Sequence, residues 1–320
     1  MSNDISIVGA GLAGCSIAWQ LHFRGVGFNL LEDKPDVAGS LVAAGMLAPV
    51  TGKAFNPSWR IEEFYDSARE FYAKVEQILG KKLWYEYPVV RLFFDAKDRA
   101  KFEKKREENS ALNDWVEKVV DNVPNTISTE GAVVWKGSGR LDVKTFVEAS
   151  RSFFLNQPSV ETSQKIYTTG ARGLIDQNPL PLPHRSAKGE ILTVRIPDLR
   201  QDQIISRGTW LVPTGNNDQT FLCGANYDWD ELDNKPTLSG REIVEKGLRS
   251  LTGLPYSVID HVAGVRPIIR RSEPVLGKIG DGFFLNGLGS KGTLYAPRAT
   301  EYLLDMILAG KAAPEYLQYP

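Results

Sequence analysis

The most constraining stretch of the chain runs from Ile5 to Glu32. An apolar run, with Ile5, Ile7 and Val8, breaks into Gly9-Ala10-Gly11-Leu12-Ala13-Gly14. A helical segment follows, with Ile17, Ala18 and Leu21 on one face. Then come Gly25 and a second apolar run, Phe28 to Leu31, which ends at Glu32. Strand, glycine turn, helix, strand and acid, in that order and within about thirty residues, make the pattern of a dinucleotide-binding unit. Gly9 permits the tight turn, Gly11 lets the backbone approach a pyrophosphate, and Gly14 lets helix and strand pack closely. The helix N-terminus offers unpaired N–H groups and partial positive charge to phosphate. Glu32 is placed to accept hydrogen bonds from a ribose. A glycine-rich turn in an ordinary βαβ unit is the alternative.

The chain is 320 residues, a natural length for two domains sharing a long interface. No apolar run reaches the length of a membrane span. A strand begins almost at the first residue, so a cleaved signal peptide is not expected, and the expected location is cytoplasmic. Cys15 and Cys223 match no metal or disulfide spacing, and Cys15 is expected to be a small packing residue. The net charge of −1 does not mark a nucleic-acid binder, although a local basic patch fits within a balanced total.

Beyond Glu32, small residues cluster from Ser40 to Pro49, including Ala43, Ala44, Gly45 and Met46. Small side chains let a backbone lie flat against a planar ligand; a tight helix-to-loop junction would use them too. Arg60 to Leu79 has apolar residues at three and four, the period of an amphipathic core helix. Trp84 to Phe94 alternates as a strand does. Ala96 to Asn109 reads as a charged, solvated helix, with an RNA contact as the lesser option. Helix is expected over Val143 to Leu155. Ile166 to Thr169 then ends a strand at Gly170, and the interval from Asn156 to Ile166 is short for a doubly wound domain. Either the fold is trimmed there or a stretch is absent from this numbering. Gly189 to Val194, Trp210 to Pro213 and Thr220 to Ala225 read as strands, the last two antiparallel. Arg241 to Leu251 reads as a helix.

Near the C-terminus, Gly264-Val265-Arg266-Pro267 precedes Glu273-Pro274-Val275-Leu276-Gly277 and a strand from Gly282 to Leu285. Gly287-Leu288-Gly289-Ser290-Lys291-Gly292 follows, with a helix expected from Ala299 to Leu308. This second glycine-rich loop at a helix N-terminus favours partial negative charge. Lys291 either adds to that field or is a solvent-facing loop lysine. Arg266 sits among apolar residues, where a guanidinium needs a partner. A ligand carboxylate would pair with it in a planar, bidentate way; an internal ion pair is the alternative. Arg270 and Arg271 read as structural. His22, His184 and His261 are scattered and form no catalytic constellation.

Taken together and in order, VGAGLAG with Glu32, SLVAAGMLAP, RSAKGEILTV, WLVPTGNNDQTFLCGANY, GVRP with EPVLG, and GLGSKGTLYAP give a specific signal. The chain resembles the FAD-dependent amine oxidoreductases of the D-amino-acid oxidase and glycine oxidase class. It is also similar to the flavin domain of the bifunctional enzyme that modifies carboxymethylaminomethyl-uridine in tRNA. The resemblance implies an α/β fold, a Rossmann-like FAD-binding domain interleaved with an α+β antiparallel-sheet substrate domain. The expected division is 1–85, 138–190 and 262–320 for FAD, and 86–137 and 191–261 for substrate.

The same resemblance implies a noncovalent, extended FAD. Its ADP half would lie on Gly9, Gly11, Leu12, Ala13, Gly14, Glu32 and Asp33, with Gly170 nearby. Its ring would lie against Ala43, Ala44, Gly45 and Met46 and against Gly289, Ser290, Lys291, Gly292 and Thr293. Arg266 would bind the substrate carboxylate, Lys291 would add charge near flavin N1, and Tyr227 would line the pocket. The implied reaction is oxidation of the C–N bond of a small amino acid or N-substituted glycine by hydride transfer to flavin, leaving an imine that hydrolyses. The cofactor carries the hard step, so no side-chain base is required. The expected partner is a small-molecule amine, with tRNA as the alternative substrate. A noncatalytic flavoprotein is a further alternative.

Overall fold

In the computed structural model the chain is described over residues 4–32, 39–155, 159–270 and 273–319. The strand Ile5–Val8, the helix Leu12–Phe23 and the strand Phe28–Leu31 form as the opening motif requires. The two strands pair in parallel, and Gln164–Tyr167 joins the other side of Ile5–Val8, also in parallel. Gly282–Asn286 and then Val275–Ile279 complete a five-stranded sheet that ends at Phe28–Leu31. Among the described residues no strand intervenes between the helix Val143–Phe154 and Gln164–Tyr167. Among the same residues Phe28–Leu31 is the last strand on that side of the sheet. The side chain of Asn29 there accepts from Val160 N–H at 3.0 Å and donates to its carbonyl at 2.8 Å.

The opening helix is buried on nearly every side, because the sheet covers one face and two other helices cover the rest. Trp19 fixes the contact with Val143–Phe154: its indole N–H donates to Ser150 Oγ at 2.8 Å, and its ring lies 4.7 Å from Phe154. The helix Ile61–Leu79 follows the expected period, burying Ile61, Phe64, Ala68, Phe71, Tyr72 and Val75. It packs against the final helix, Gly292–Ala309. That helix starts seven residues before the expected Ala299. Pro297 lies inside it and has no N–H to give to the Thr293 carbonyl one turn earlier. Tyr72 Oη donates to that carbonyl instead, at 3.0 Å, so a neighbouring helix satisfies the acceptor and the helix continues.

The second sheet has eight strands, in the order Ser257–Arg266, Ala187–Arg195, Thr220–Gly224, Thr209–Pro213, Ile204–Arg207, Val89–Leu92, Ala132–Trp135 and Val116–Val120. Most of its pairs are antiparallel; Ile204–Arg207 and Val89–Leu92 are parallel. The expected single strand from Trp84 to Phe94 is two strands, Trp84–Tyr85 and Val89–Leu92, in different sheets. Pro88, which cannot donate, lies in the break. The helix expected from Arg241 begins at Leu238, where Thr237 Oγ1 accepts from Gly240 N–H at 3.0 Å and caps it. The charged helix Ala96–Glu108 buries only Phe102, as a solvated face should.

Candidate functional site

A cavity of about 580 Å³ is bordered by both sheets. The glycine turn is part of that border. Gly9 has φ +108°, and a Cβ there would fall on the Thr168 carbonyl. The Thr168 hydroxyl donates to Gly9 O at 2.7 Å and staples the turn to the neighbouring strand. A Cβ on Gly14 would collide with Gly9 O, so Gly14 serves helix–strand packing and does not line the cavity. Leu12 N–H donates to Ser40 Oγ at 3.1 Å. Glu32 stands outside the lining but is joined to it through Arg151, 3.2 Å from its Oε1. Asp33 lies outside the described residues.

The cavity is also bordered by Ala43, Ala44, Gly45 and Met46, by Gly170, and by Gly289 to Thr293. The cluster of small residues contains a one-turn helix, Gly39–Val42, and a short strand, Met46–Leu47. Gly45 cannot be larger, because a Cβ there would meet the Leu141 carbonyl. Lys291 is not a solvent-facing lysine. Its ammonium donates to Thr51 Oγ1 and Ser58 Oγ, both at 3.1 Å. Burial lowers its pKa from the ordinary lysine value, with the more distant Glu273 acting in the opposite direction.

Arg266, also in the lining, closes the strand Ser257–Arg266, opposite Ala187. Its Nη1 donates to the carbonyls of Lys188 at 3.2 Å and Asn226 at 3.3 Å. The Tyr227 ring covers the guanidinium, 4.1 Å from centroid to Cζ. Among the described residues Arg266 makes no ion pair, so the internal-pair alternative is replaced by a clamp of backbone carbonyls. Burial lowers its pKa from the usual arginine value. The segment carrying Asn226 and Tyr227 is tied to the strand Ala187–Arg195 by charge. Lys188, fully buried, pairs with Asp233 at 2.8 Å and Glu231 at 3.5 Å. Glu190 accepts from Thr237 N–H and Oγ1, both at 2.8 Å, and lies 2.8 Å from His261 Nε2.

Gly9, Gly11, Leu12, Ala13, Tyr227 and Arg266 therefore meet at one cavity with Ala43 to Met46, Gly170 and Gly289 to Thr293. None of the three histidines lines it. Arg151, Thr168, Thr169 and Gly189 line it too and were not singled out from the sequence. Only Gly189 carried a signal, as the glycine within RSAKGEILTV.

Among the described residues the lining contains Arg151, Arg172, Arg266 and Lys291, and no carboxylate. Such a chamber suits an anionic ligand. Both glycine loops border this one cavity, as an extended flavin dinucleotide held at both would require. The Thr169 hydroxyl, buried and without a partner among the described residues, is a further polar group suited to a ligand.

Comparison with known proteins defines the class. The chain belongs to the DAO family of FAD-dependent oxidoreductases, whose model matches residues 4–157 and 161–306. FAD is accordingly its cofactor. Among curated proteins it is 25% identical over 364 aligned positions to the bifunctional protein ThiO/ThiG of Trichormus variabilis, covering 98% of this chain and 54% of that protein. It is 23% identical to the tRNA 5-methylaminomethyl-2-thiouridine biosynthesis bifunctional protein MnmC of Maricaulis maris, over 98% of this chain and 53% of that one. The chain thus spans about half the length of these relatives. Among solved structures, glycine oxidase from Bacillus cereus has a TM-score of 0.76 at 16% identity, covering 98% of this chain and 96% of that one. Iminodiacetate oxidase from a Chelativorans species has 0.75 at 18%, covering 98% of each. These likenesses establish the fold. No described helix is long and apolar enough to cross a membrane.

Proposed function

We propose that this FAD-dependent oxidoreductase oxidises the C–N bond of a small amino acid or N-substituted glycine, the product imine then hydrolysing. The observation that carries the reading is the guanidinium of Arg266 in the cavity lining, clamped by two backbone carbonyls and free of any ion pair among the described residues. It is a built receptor for a carboxylate. Bound FAD supplies the two-electron acceptor. Arg266 holds the carboxylate, which fixes where the α-carbon stands. Tyr227 holds the guanidinium from above. Lys291 places positive charge beside the last glycine loop, where it favours an electron-rich ring. In this reading residues 1–85, 138–190 and 262–320 hold the cofactor, and 86–137 and 191–261 shape the substrate side.

A second reading has the same chemistry on a glycine-modified wobble uridine of tRNA. It is favoured by an exposed stack at the rim, where Trp229 lies 5.6 Å from Tyr227 and Arg185 lies 5.5 Å from Trp229. Aromatic and guanidinium planes of this kind stack on bases. The deciding experiment is anaerobic mixing of the flavin-loaded protein with a panel of amino acids, N-alkyl glycines and glycine-modified tRNA. Bleaching by a free amino acid or N-alkyl glycine supports the first reading, and bleaching by tRNA alone supports the second. A flavin that no amine bleaches would refute both.

A further inference from the structure

Among the described residues the five-stranded sheet stops at Phe28–Leu31, so Glu32 stands at its edge beside the diphosphate turn. A lone carboxylate there would repel the phosphates it must neighbour. Arg151 answers this. It follows Ser150, whose hydroxyl receives the Trp19 N–H, and that contact sets the rotation of the helix Val143–Phe154 against the opening helix. Arg151 is thereby turned toward the glycine turn. Its Nε donates to Ala10 O at 2.8 Å, and its Nη1 lies 3.2 Å from Glu32 Oε1.

We propose that Arg151 is a binding residue for the adenosine diphosphate half of the cofactor. Two consequences of its geometry support this. By holding the Ala10 carbonyl it fixes the plane of the Ala10–Gly11 peptide, and a trans peptide then points the Gly11 N–H the opposite way. By pairing with Glu32 it offsets the acid's charge while leaving acceptor capacity, since a carboxylate has about four lone-pair sites. The other cations of the cavity are engaged elsewhere. Arg172 pairs with Asp176 at 3.1 Å, Lys291 lies on two hydroxyls, and Arg266 lies on two carbonyls. Arg151 is a lining cation that contacts the glycine turn directly, through Ala10 O.

The test uses ADP as the probe, titrated calorimetrically into flavin-free protein, so the readout does not depend on turnover. Arg151→Ala should weaken ADP about tenfold or more, as expected for losing a charge-assisted contact. Arg151→Lys should recover part of the loss, and the melting temperature of the flavin-free protein should barely move. The salt dependence of ADP binding should become shallower in Arg151→Ala. Unchanged ADP affinity in Arg151→Ala would overturn the assignment, as would equal losses in Arg151→Lys and Arg151→Ala. If Arg151→Ala does not fold, Arg151→Gln carries the same test. A wild-type protein that binds FAD but not ADP would remove Arg151 from this role and leave the family's cofactor in place.

Discussion

The guanidinium of Arg266 lies flat across the backbone of Gly189, so that a Cβ at residue 189 would fall within it. Gly189 is opposite Gly264 in the strand pair that ends at Arg266. The missing side chain is what lets the guanidinium lie between the sheet and the Tyr227 ring. Gly189→Ala should therefore push Arg266 off its carbonyls and raise KM for carboxylate substrates about tenfold, with flavin content unchanged. Steady-state kinetics with a parallel flavin assay checks it.

Arg266→Leu tests the receptor itself. Losing a bidentate, charge-assisted pair should lower kcat/KM for amino-acid substrates by about a hundredfold, chiefly through KM. An amine lacking the carboxylate should be affected far less. Equal losses on both substrates would show that Arg266 does not hold the carboxylate.

Lys291 makes two measurable contributions. Burial lowers its pKa, so between that lowered value and the usual lysine value of about 10.4 the unfolded chain binds more protons than the folded one. The stability of the flavin-free protein should therefore rise with pH across that window, and Lys291→Met should flatten the rise in melts taken from neutral to alkaline pH. The same substitution should lower the flavin's two-electron potential by roughly 30 mV, the equivalent of about 1.4 kcal/mol. An unchanged potential would place the ammonium too far from the ring to act on it.

The strap over Arg266 depends on a buried charge. Asp233→Asn leaves the Lys188 ammonium, among the described residues, with Glu231 at 3.5 Å as its remaining ion pair. A loss of about 2 kcal/mol is expected, below the 3–5 of a fully broken buried pair. Calorimetric melting would measure it, and Tyr227 should hold Arg266 less firmly, raising KM.

Both thiols should be inert in the folded protein. Burial pushes the Cys15 thiol up to about 12 and raises that of Cys223 as well. A thiol reagent at pH 8 should label neither until denaturant is added, because the thiolate is the reactive form.

The opening motif was legible because its glycines, helix and acid act locally, and each has one physical job. The same holds for the Ile61–Leu79 helix, whose period of three and four records a single buried face. The early start of the last helix was not legible, because Pro297 is rescued by Tyr72 Oη from a distant segment. Arg151 was hidden for a similar reason. A lone arginine on a helix gives no sign that Ser150 and Trp19 will turn it toward a glycine turn. Arg266 stood out by its apolar surroundings, yet its partners proved to be carbonyls of Lys188 and Asn226, which side-chain identity does not encode.

The cation-lined cavity also bears on handling the flavin-depleted chain. Four positive side chains lining one cavity favour small anions such as sulfate, citrate or inorganic phosphate from the medium. Titrations run in such buffers would then measure eviction of a resident salt ion rather than simple occupancy. Dialysis into a chloride buffer of low ionic strength is the condition under which the intrinsic hold on the nucleotide becomes visible.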